Sequence, residues 1–191
     1  NGSIPISVAS MTTDEPALLV ARIMGVDPGK QTGVAVVDLY YDPKGTPHSY
    51  DLLRNFHIVP HFSMSIGLDK YAKLFRTTLQ SASEDLEGKA PLVIANEQYL
   101  ATRMTAATQD TQSLEVIGGL RAVLELTDIP HEFYMQQPSQ AKMLVPDKRL
   151  EQDFHFDLKG LDAHSRDALR HACYWCIMYV QGKVNLPAKD K

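Results

Sequence analysis

The sequence has few cysteines, no long apolar run and no excess of positive charge, and each shortage excludes a class of protein. Two cysteines three residues apart do not form the disulfide framework of a small secreted domain. No stretch approaches the ~20 apolar residues that a membrane-spanning helix needs, and the N-terminus lacks the basic-then-apolar order of a signal peptide. We therefore expect a soluble cytoplasmic protein without membrane contacts.

The balance of charge argues against one mode of DNA binding but not against DNA binding itself. The chain has 19 lysines and arginines against 23 aspartates and glutamates, a net charge of -4. That balance is wrong for a protein that holds nucleic acid by bulk electrostatics. Carboxylates that bind divalent cations would lose their repulsive effect, however, so the sign of the net charge leaves DNA open as a partner.

The length and composition predict one folded domain. With 191 residues, of which 44% are hydrophobic, the chain can bury a core of ordinary size. Residues 1–20 mix Ser, Thr and Pro without periodicity and are predicted to be a disordered tail, whose Asn1–Ser3 is expected to come from a cloning vector. Residues 21–186 are predicted to form the domain.

Apolar periodicity and turn residues predict an α/β domain with a five-stranded mixed sheet flanked by helices. The predicted strands cover 22–26, 32–41, 50–59, 91–95 and 131–136; the predicted helices cover 68–86, 103–127, a short segment opened by Pro138, and 163–180. Asp162 stands where the last helix would be N-capped.

Two carboxylates follow predicted strands. Asp27 ends the first strand directly before Pro28-Gly29, and Glu97 follows the apolar run of the fourth. Open α/β sheets place ligand sites at such strand ends. Taken singly, Asp27 is equally typical of a turn residue, and Glu97 of a salt bridge to an arginine.

His164 and Asp167 add a second element to this acidic set. At i and i+3 of the last helix they share one face. Taken singly, His164 is also typical of an exposed first-turn residue, and Asp167 of a carboxylate that interacts favourably with the helix dipole. Three carboxylates and an imidazole suit Mg²⁺ or Mn²⁺. Two such ions about 4 Å apart would activate water and stabilise the leaving oxygen of a phosphodiester.

The ordered motifs resemble those of RuvC-type Holliday-junction resolvases, which are nucleases of the ribonuclease H-like (retroviral-integrase-like) fold. The matching segments are Met24–Gly29, Thr32–Ala35, Ile94–Gln98 and His164–Leu169, and the resemblance spans residues 22–182. It implies a crossover junction endodeoxyribonuclease that resolves four-way junctions by paired nicks, with other branched DNA as further substrates. It also implies a homodimer and two Mg²⁺ per site, replaceable by Mn²⁺. Asp27, Glu97, His164 and Asp167 are then the catalytic, metal-binding residues.

The resemblance also indicates residues that contact DNA. In the family an aromatic residue just after the catalytic glutamate wedges into the junction, and the corresponding residues here are Tyr99 and Leu100. Lys142, Lys148 and Arg149 form a basic segment, shorter than in bacterial members, which makes a phage or viral member the closer likeness. Surface charge without a DNA contact is the alternative for these three.

Three further features have open interpretations. Gly118-Gly119 lies within a predicted helix, either where another helix of the domain crosses or, as the resemblance favours, at a dimer contact. Cys173 and Cys176 lie mid-helix in an apolar stretch, which favours buried packing over metal or redox chemistry. His171 follows Asp167 by one turn and is expected either to lie beside the metal site or to hydrogen-bond a residue that contacts the metal ligands.

An ATPase is the alternative function. The segment Asp27–Gly33 also resembles, with shifted glycine spacing, the phosphate loop of actin-like and sugar-kinase-like ATPases. Those proteins need two such domains and a second glycine-rich loop, which this chain lacks. The nuclease interpretation is therefore preferred.

Overall fold

The computed structural model describes residues 4–5, 17–45, 53, 55–84, 86, 90–98 and 111–186. The described strands are β1 (Ile4–Pro5), β2 (Leu18–Asp27), β3 (Gln31–Tyr41), β4 (Phe56–Gly67), β5 (Leu92–Glu97) and β6 (His131–Gln136). The described helices are α1 (Tyr71–Glu84), α2 (Gln112–Thr127), α3 (Pro138–Leu144), α4 (Asp147–Gln152) and α5 (Ala163–Val180). A 3-10 turn at Leu68–Lys70 precedes α1.

The strands form one mixed sheet in the order β1-β4-β3-β2-β5-β6. The pairs β1–β4, β4–β3 and β3–β2 are antiparallel, whereas the pairs β2–β5 and β5–β6 are parallel. The predicted five-stranded sheet with flanking helices is confirmed. The two-residue β1, inside the segment predicted as a tail, adds an edge strand against β4.

The helix predicted over 68–86 is observed as the 3-10 turn followed by α1, which ends at Glu84, and two predicted strands differ by more. β2 begins at Leu18 rather than at residue 22, and β4 covers Phe56–Gly67 rather than residues 50–59. The predicted strand ends just before Pro60, and proline cannot donate to a strand ladder. Pro60 instead lies at a β-bulge, where the register against β3 shifts between Val36 and Val37 and lets the strand continue. Of the helix predicted over 103–127, residues 103–110 lie outside the described residues.

Helices cover the sheet on both faces. α5 packs on the face that carries Ile23, Val37 and Val93, and α1 and α2 pack on the face that carries Met24 and Ile94. β2 and β5 therefore have buried side chains on both faces, as their apolar runs predict. No helix in the described ranges is long and apolar enough to cross a membrane.

The last helix has the predicted bounds and cap. The Asp162 carboxylate accepts a hydrogen bond from the backbone N–H of Ser165 at 2.8 Å, so the predicted N-cap is confirmed. Cys173 and Cys176 are fully buried free thiols, and burial raises the pKa of both. The packing interpretation of these cysteines is therefore confirmed.

Two glycines bring α5 against the sheet. A Cβ at Gly25 would overlap the carbonyl of Ala168 and lie 2.9 Å from the backbone nitrogen of Ala172. A Cβ at Gly33 would overlap the carbonyl of His164. These close approaches place the first turn of α5 directly over the ends of β2 and β3.

Candidate active site

The site is built on the carboxyl ends of two adjacent parallel strands. Val26 of β2 and Asn96 of β5 are register partners, and the next residues are Asp27 and Glu97. Because neighbouring residues of paired strands point to the same face, both carboxylates lie side by side on the face covered by α5. Asp27 is buried and Glu97 half-buried. The parallel pairing of β2 and β5 thus brings together these two carboxylates, which the sequence analysis expected to converge.

The first turn of α5 adds an imidazole to Asp27. His164 Nδ1 lies 2.8 Å from Asp27 Oδ2. This end of α5 is anchored to β4, because the Ser63 hydroxyl donates to the carbonyl of Ser165 at 2.7 Å and the Ser65 hydroxyl donates to Asp162. The position of His164 is thus fixed by two strands and a helix cap.

Two turns along α5, His171 contacts the second carboxylate. Its Nε2 lies 2.9 Å from Glu97 Oε2, and its Nδ1 lies 2.8 Å from Gln136 Oε1 at the end of β6. His171 is only 1% exposed, so its imidazole is held in the interior between these two partners. Its spacing of four residues after Asp167 was the sequence signal for a place beside the site.

Asp167 takes part in a different set of contacts. Its carboxylate accepts from Lys142 Nζ at 2.8 Å and from the guanidinium of Arg170. Arg170 also bonds Asp147 and the Val145 carbonyl, the latter at 2.8 Å. The hydrogen-bond partners of Asp167 are thus cations of α3 and α5, although it shares the helix face that carries His164 and His171.

The environment of Asp27 disfavours its negative charge. Burial raises its pKa, the adjacent Glu97 carboxylate raises it further, and the hydrogen bond and charge of His164 and the charge of His171 offset part of the rise. The net direction is upward. A positive ion next to this carboxylate would relieve the same repulsion.

The donor atoms fit a divalent cation, although they are not gathered round one point. Within the described ranges no three His, Cys, Asp or Glu side chains stand close enough together to share one ion. The four predicted residues are instead divided among three groups. Asp27 is paired with His164, Glu97 is paired with His171, and Asp167 is ion-paired with Lys142 and Arg170. Carboxylate oxygens with imidazole nitrogens nevertheless suit Mg²⁺ or Mn²⁺, and the repulsion at Asp27 favours a cation.

The predicted DNA contacts fall into three groups. Lys142 is half-exposed and paired with Asp167, whereas Lys148 is exposed and makes no ion pair with a described residue. Arg149 donates to the Leu144 carbonyl at 2.7 Å and pairs with Asp153 at 3.2 Å, so its side chain ties α3 to α4. Tyr99 and Leu100 lie outside the described residues.

The fold matches that of solved RuvC structures. Thermus thermophilus RuvC superposes with a TM-score of 0.58 at 15% identity, covering 85% of this chain and 97% of RuvC. T. thermophilus RuvC in complex with a Holliday junction substrate superposes with a TM-score of 0.57 over the same shares, again at 15% identity. The chain therefore has the RuvC-type, RNase H-like fold. No protein-family model and no curated protein sequence matches the chain.

Proposed function

We propose that this protein is a metal-dependent, structure-selective DNA endonuclease that resolves four-way junctions by paired nicks. The observation that carries the proposal is the pair Asp27 and Glu97 at the ends of two parallel strands beneath α5, in the RuvC-type fold. The similar T. thermophilus RuvC was solved with a Holliday junction substrate, which supports branched DNA as the substrate class here.

The chemistry follows from the groups at the site. Asp27 and Glu97 would hold Mg²⁺, with Mn²⁺ as a substitute, and His164 and Asp167 complete the proposed set. Two bound ions would supply an activated water and stabilise the charge on the leaving oxygen of the phosphodiester, giving 5′-phosphate and 3′-hydroxyl ends. His164 orients Asp27, and His171 orients Glu97, each by a hydrogen bond. Lys142 and Arg170 balance the charge of Asp167.

Paired nicks require two active sites, and the outer face of α2 supports a homodimer. Leu114, Gly118, Ala122 and Leu126 recur every four residues along this face, and Leu114 and Leu126 are 52% and 85% exposed. A Cβ at Gly118 would meet nothing within 4 Å, whereas one at Gly119 would overlap the ring of Tyr71 on α1. Gly119 is therefore the crossing point within the domain, and Gly118 is left for a contact between protomers.

A plasmid that extrudes a cruciform tests the proposal. Paired nicks across the junction give linear plasmid, whereas unpaired nicks give open circles. We expect the wild type to give linear product with Mg²⁺. Gly118→Arg should sediment as a monomer and give open circles, and Gln152→Arg, which adds the same charge to the exposed surface of α4, should behave like the wild type. A dimeric Gly118→Arg that still gives linear product would place the dimer contact elsewhere.

A further inference from the structure

A cavity of about 270 Å³ lies beside the proposed active site, between β6, α3 and α5. Its lining includes the aromatic rings of Tyr134, Tyr174 and Trp175 and the side-chain amides of Gln98, Gln136 and Gln140. Gln98 directly follows Glu97 in the chain, and Gln136 of the lining bonds His171, so the cavity adjoins the proposed site at these two residues. Neither the sequence motifs nor the proposed metal chemistry gives this cavity a role.

The cavity presents hydrogen-bond donors that have no partner among the described residues. The Oε1 atom of Gln136 accepts from the Nδ1–H of His171, and the Oε1 of Gln140 accepts from the hydroxyl of Tyr174 at 3.3 Å. The NH₂ groups of both amides are then left to donate elsewhere. The indole N–H of Trp175 also has no acceptor in the described part of the chain, but it is buried behind the lining and is not one of the donors exposed to the cavity.

The chemistry of the lining defines the occupant. None of the described residues that line the cavity is charged, which argues against a phosphate group. Aromatic faces with side-chain amides instead suit a flat, uncharged ring that carries hydrogen-bond acceptors. Nucleobases have this character, and proteins bind unstacked bases by stacking on aromatic rings and by hydrogen bonds to their edges.

We propose that the cavity binds one unstacked nucleobase of the branched DNA, next to the phosphodiester that is cut. This inference rests on the proposed function, because the base must be delivered by DNA bound at the active site. Gln136 bonds His171, and His171 bonds Glu97, so two hydrogen bonds join Gln136, the residue that would hold the base, to the proposed catalytic carboxylate. Cleavage would then depend on which base enters the cavity, and the cavity would select the cleavage sequence.

Trp175 is the protein's single tryptophan, so its fluorescence reports on the cavity directly. The probes are a four-way junction in EDTA, which blocks cutting, and the same junction with abasic residues flanking the branch. Gln140→Met removes an exposed amide of the cavity, and Gln152→Met is the matched control on the exposed surface of α4. Cutting with Mg²⁺ is measured in parallel on the intact junction.

We expect the intact junction to quench Trp175 and the abasic junction to bind about tenfold more weakly without quenching. Gln140→Met should weaken binding of the intact junction several-fold and leave binding of the abasic junction unchanged, and Gln152→Met should match the wild type. Normal binding and cutting with unchanged Trp175 emission and an unaffected Gln140→Met would overturn the cavity proposal alone. Failure to bind or cut either junction would overturn the proposed function, and the cavity proposal with it.

Discussion

Gly33 and His164 are in direct backbone contact: a Cβ at position 33 would overlap the His164 carbonyl and lie 3.2 Å from the Cβ of Ala168. This contact joins β3 to the first turn of α5, and Asp27 is the last residue of β2 in the same β2–β3 hairpin. The distance between Asp27 and His164 therefore depends on the absence of a side chain at Gly33.

Gly33→Ala should push α5 away from the hairpin. Because backbone atoms cannot move aside as a flexible side chain can, we expect a loss of about 1–3 kcal/mol in the free energy of unfolding. Cleavage should fall further than stability does, since His164 would lose its position over Asp27. Gly29→Ala in the same hairpin is the control, because its Cβ would meet nothing closer than 3.4 Å. Chemical denaturation compares the two variants, and equal stability would show that α5 adjusts freely.

Asp27→Asn should not destabilise the metal-free protein at neutral pH. Burial and the Glu97 carboxylate raise the pKa of Asp27 in the folded state, so its ionised form opposes folding. Stability should accordingly rise as the pH falls through this raised pKa towards the ordinary aspartate value, and the neutral asparagine should abolish that rise. Thermal unfolding in EDTA measures both effects.

The same variant tests cation binding by a second route. Millimolar Mg²⁺ or Mn²⁺ should raise the unfolding temperature of the wild type, because an ion that binds only the folded state stabilises it. The shift should be much smaller in Asp27→Asn. A shift of equal size in both proteins would remove Asp27 from the proposed metal site.

A buried ion pair between the middle of β2 and its neighbour β3 should control stability in acid. Arg22 bonds both carboxylate oxygens of Asp38, at 2.7 and 2.9 Å, and His61 lies 2.7 Å from the same carboxylate. Burial alone would raise the pKa of Asp38, but the hydrogen bonds from Arg22 and His61 hold it below the ordinary value. Its contribution is therefore present above about pH 4 and is lost as the pH falls through the lowered pKa.

Variants of this ion pair separate its parts. Asp38→Leu alone leaves Arg22 buried without its carboxylate, and we expect a loss of about 3–5 kcal/mol. Arg22→Met combined with Asp38→Leu should recover most of that loss, because the charge is removed with its partner. Urea denaturation at pH 7 measures both. A double variant as unstable as the single one would show that the pair stabilises the fold itself.

Lys148 and Arg149 should differ although they are neighbours. Lys148 is exposed, and Lys148→Ala should weaken junction binding. The slope of log affinity against log salt concentration should become shallower by about one, the contribution of one phosphate contact. Arg149 bonds the Leu144 carbonyl and Asp153, so Arg149→Ala should mainly lower stability. Binding titrations from low to moderate salt distinguish them. An unchanged salt slope for Lys148→Ala would show that this lysine contacts no phosphate.

The sequence predicted the parts of the site that depend on strand ends and helix periodicity. Asp27 and Glu97 end adjacent parallel strands, and the polar cap Asp162 marked the start of α5. The pairing of Glu97 with Gln136 through His171 was not predictable, because it needs the register of β6 against β5. The contact of Lys142 with Asp167 likewise depends on how α3 packs against α5, which no local pattern specifies.

The most direct test of the proposed nuclease uses a labelled four-way junction with a mobile core, a fork and a plain duplex. Wild type, Asp27→Asn, Glu97→Gln and Asp167→Asn are compared with Mg²⁺, with Mn²⁺ and with EDTA. We predict metal-dependent paired nicks in the junction by the wild type, and junction binding without cleavage by each variant. Cleavage by any variant at the wild-type rate would exclude that carboxylate from the site. Absence of metal-dependent cleavage of branched DNA by the wild type would contradict the proposed function.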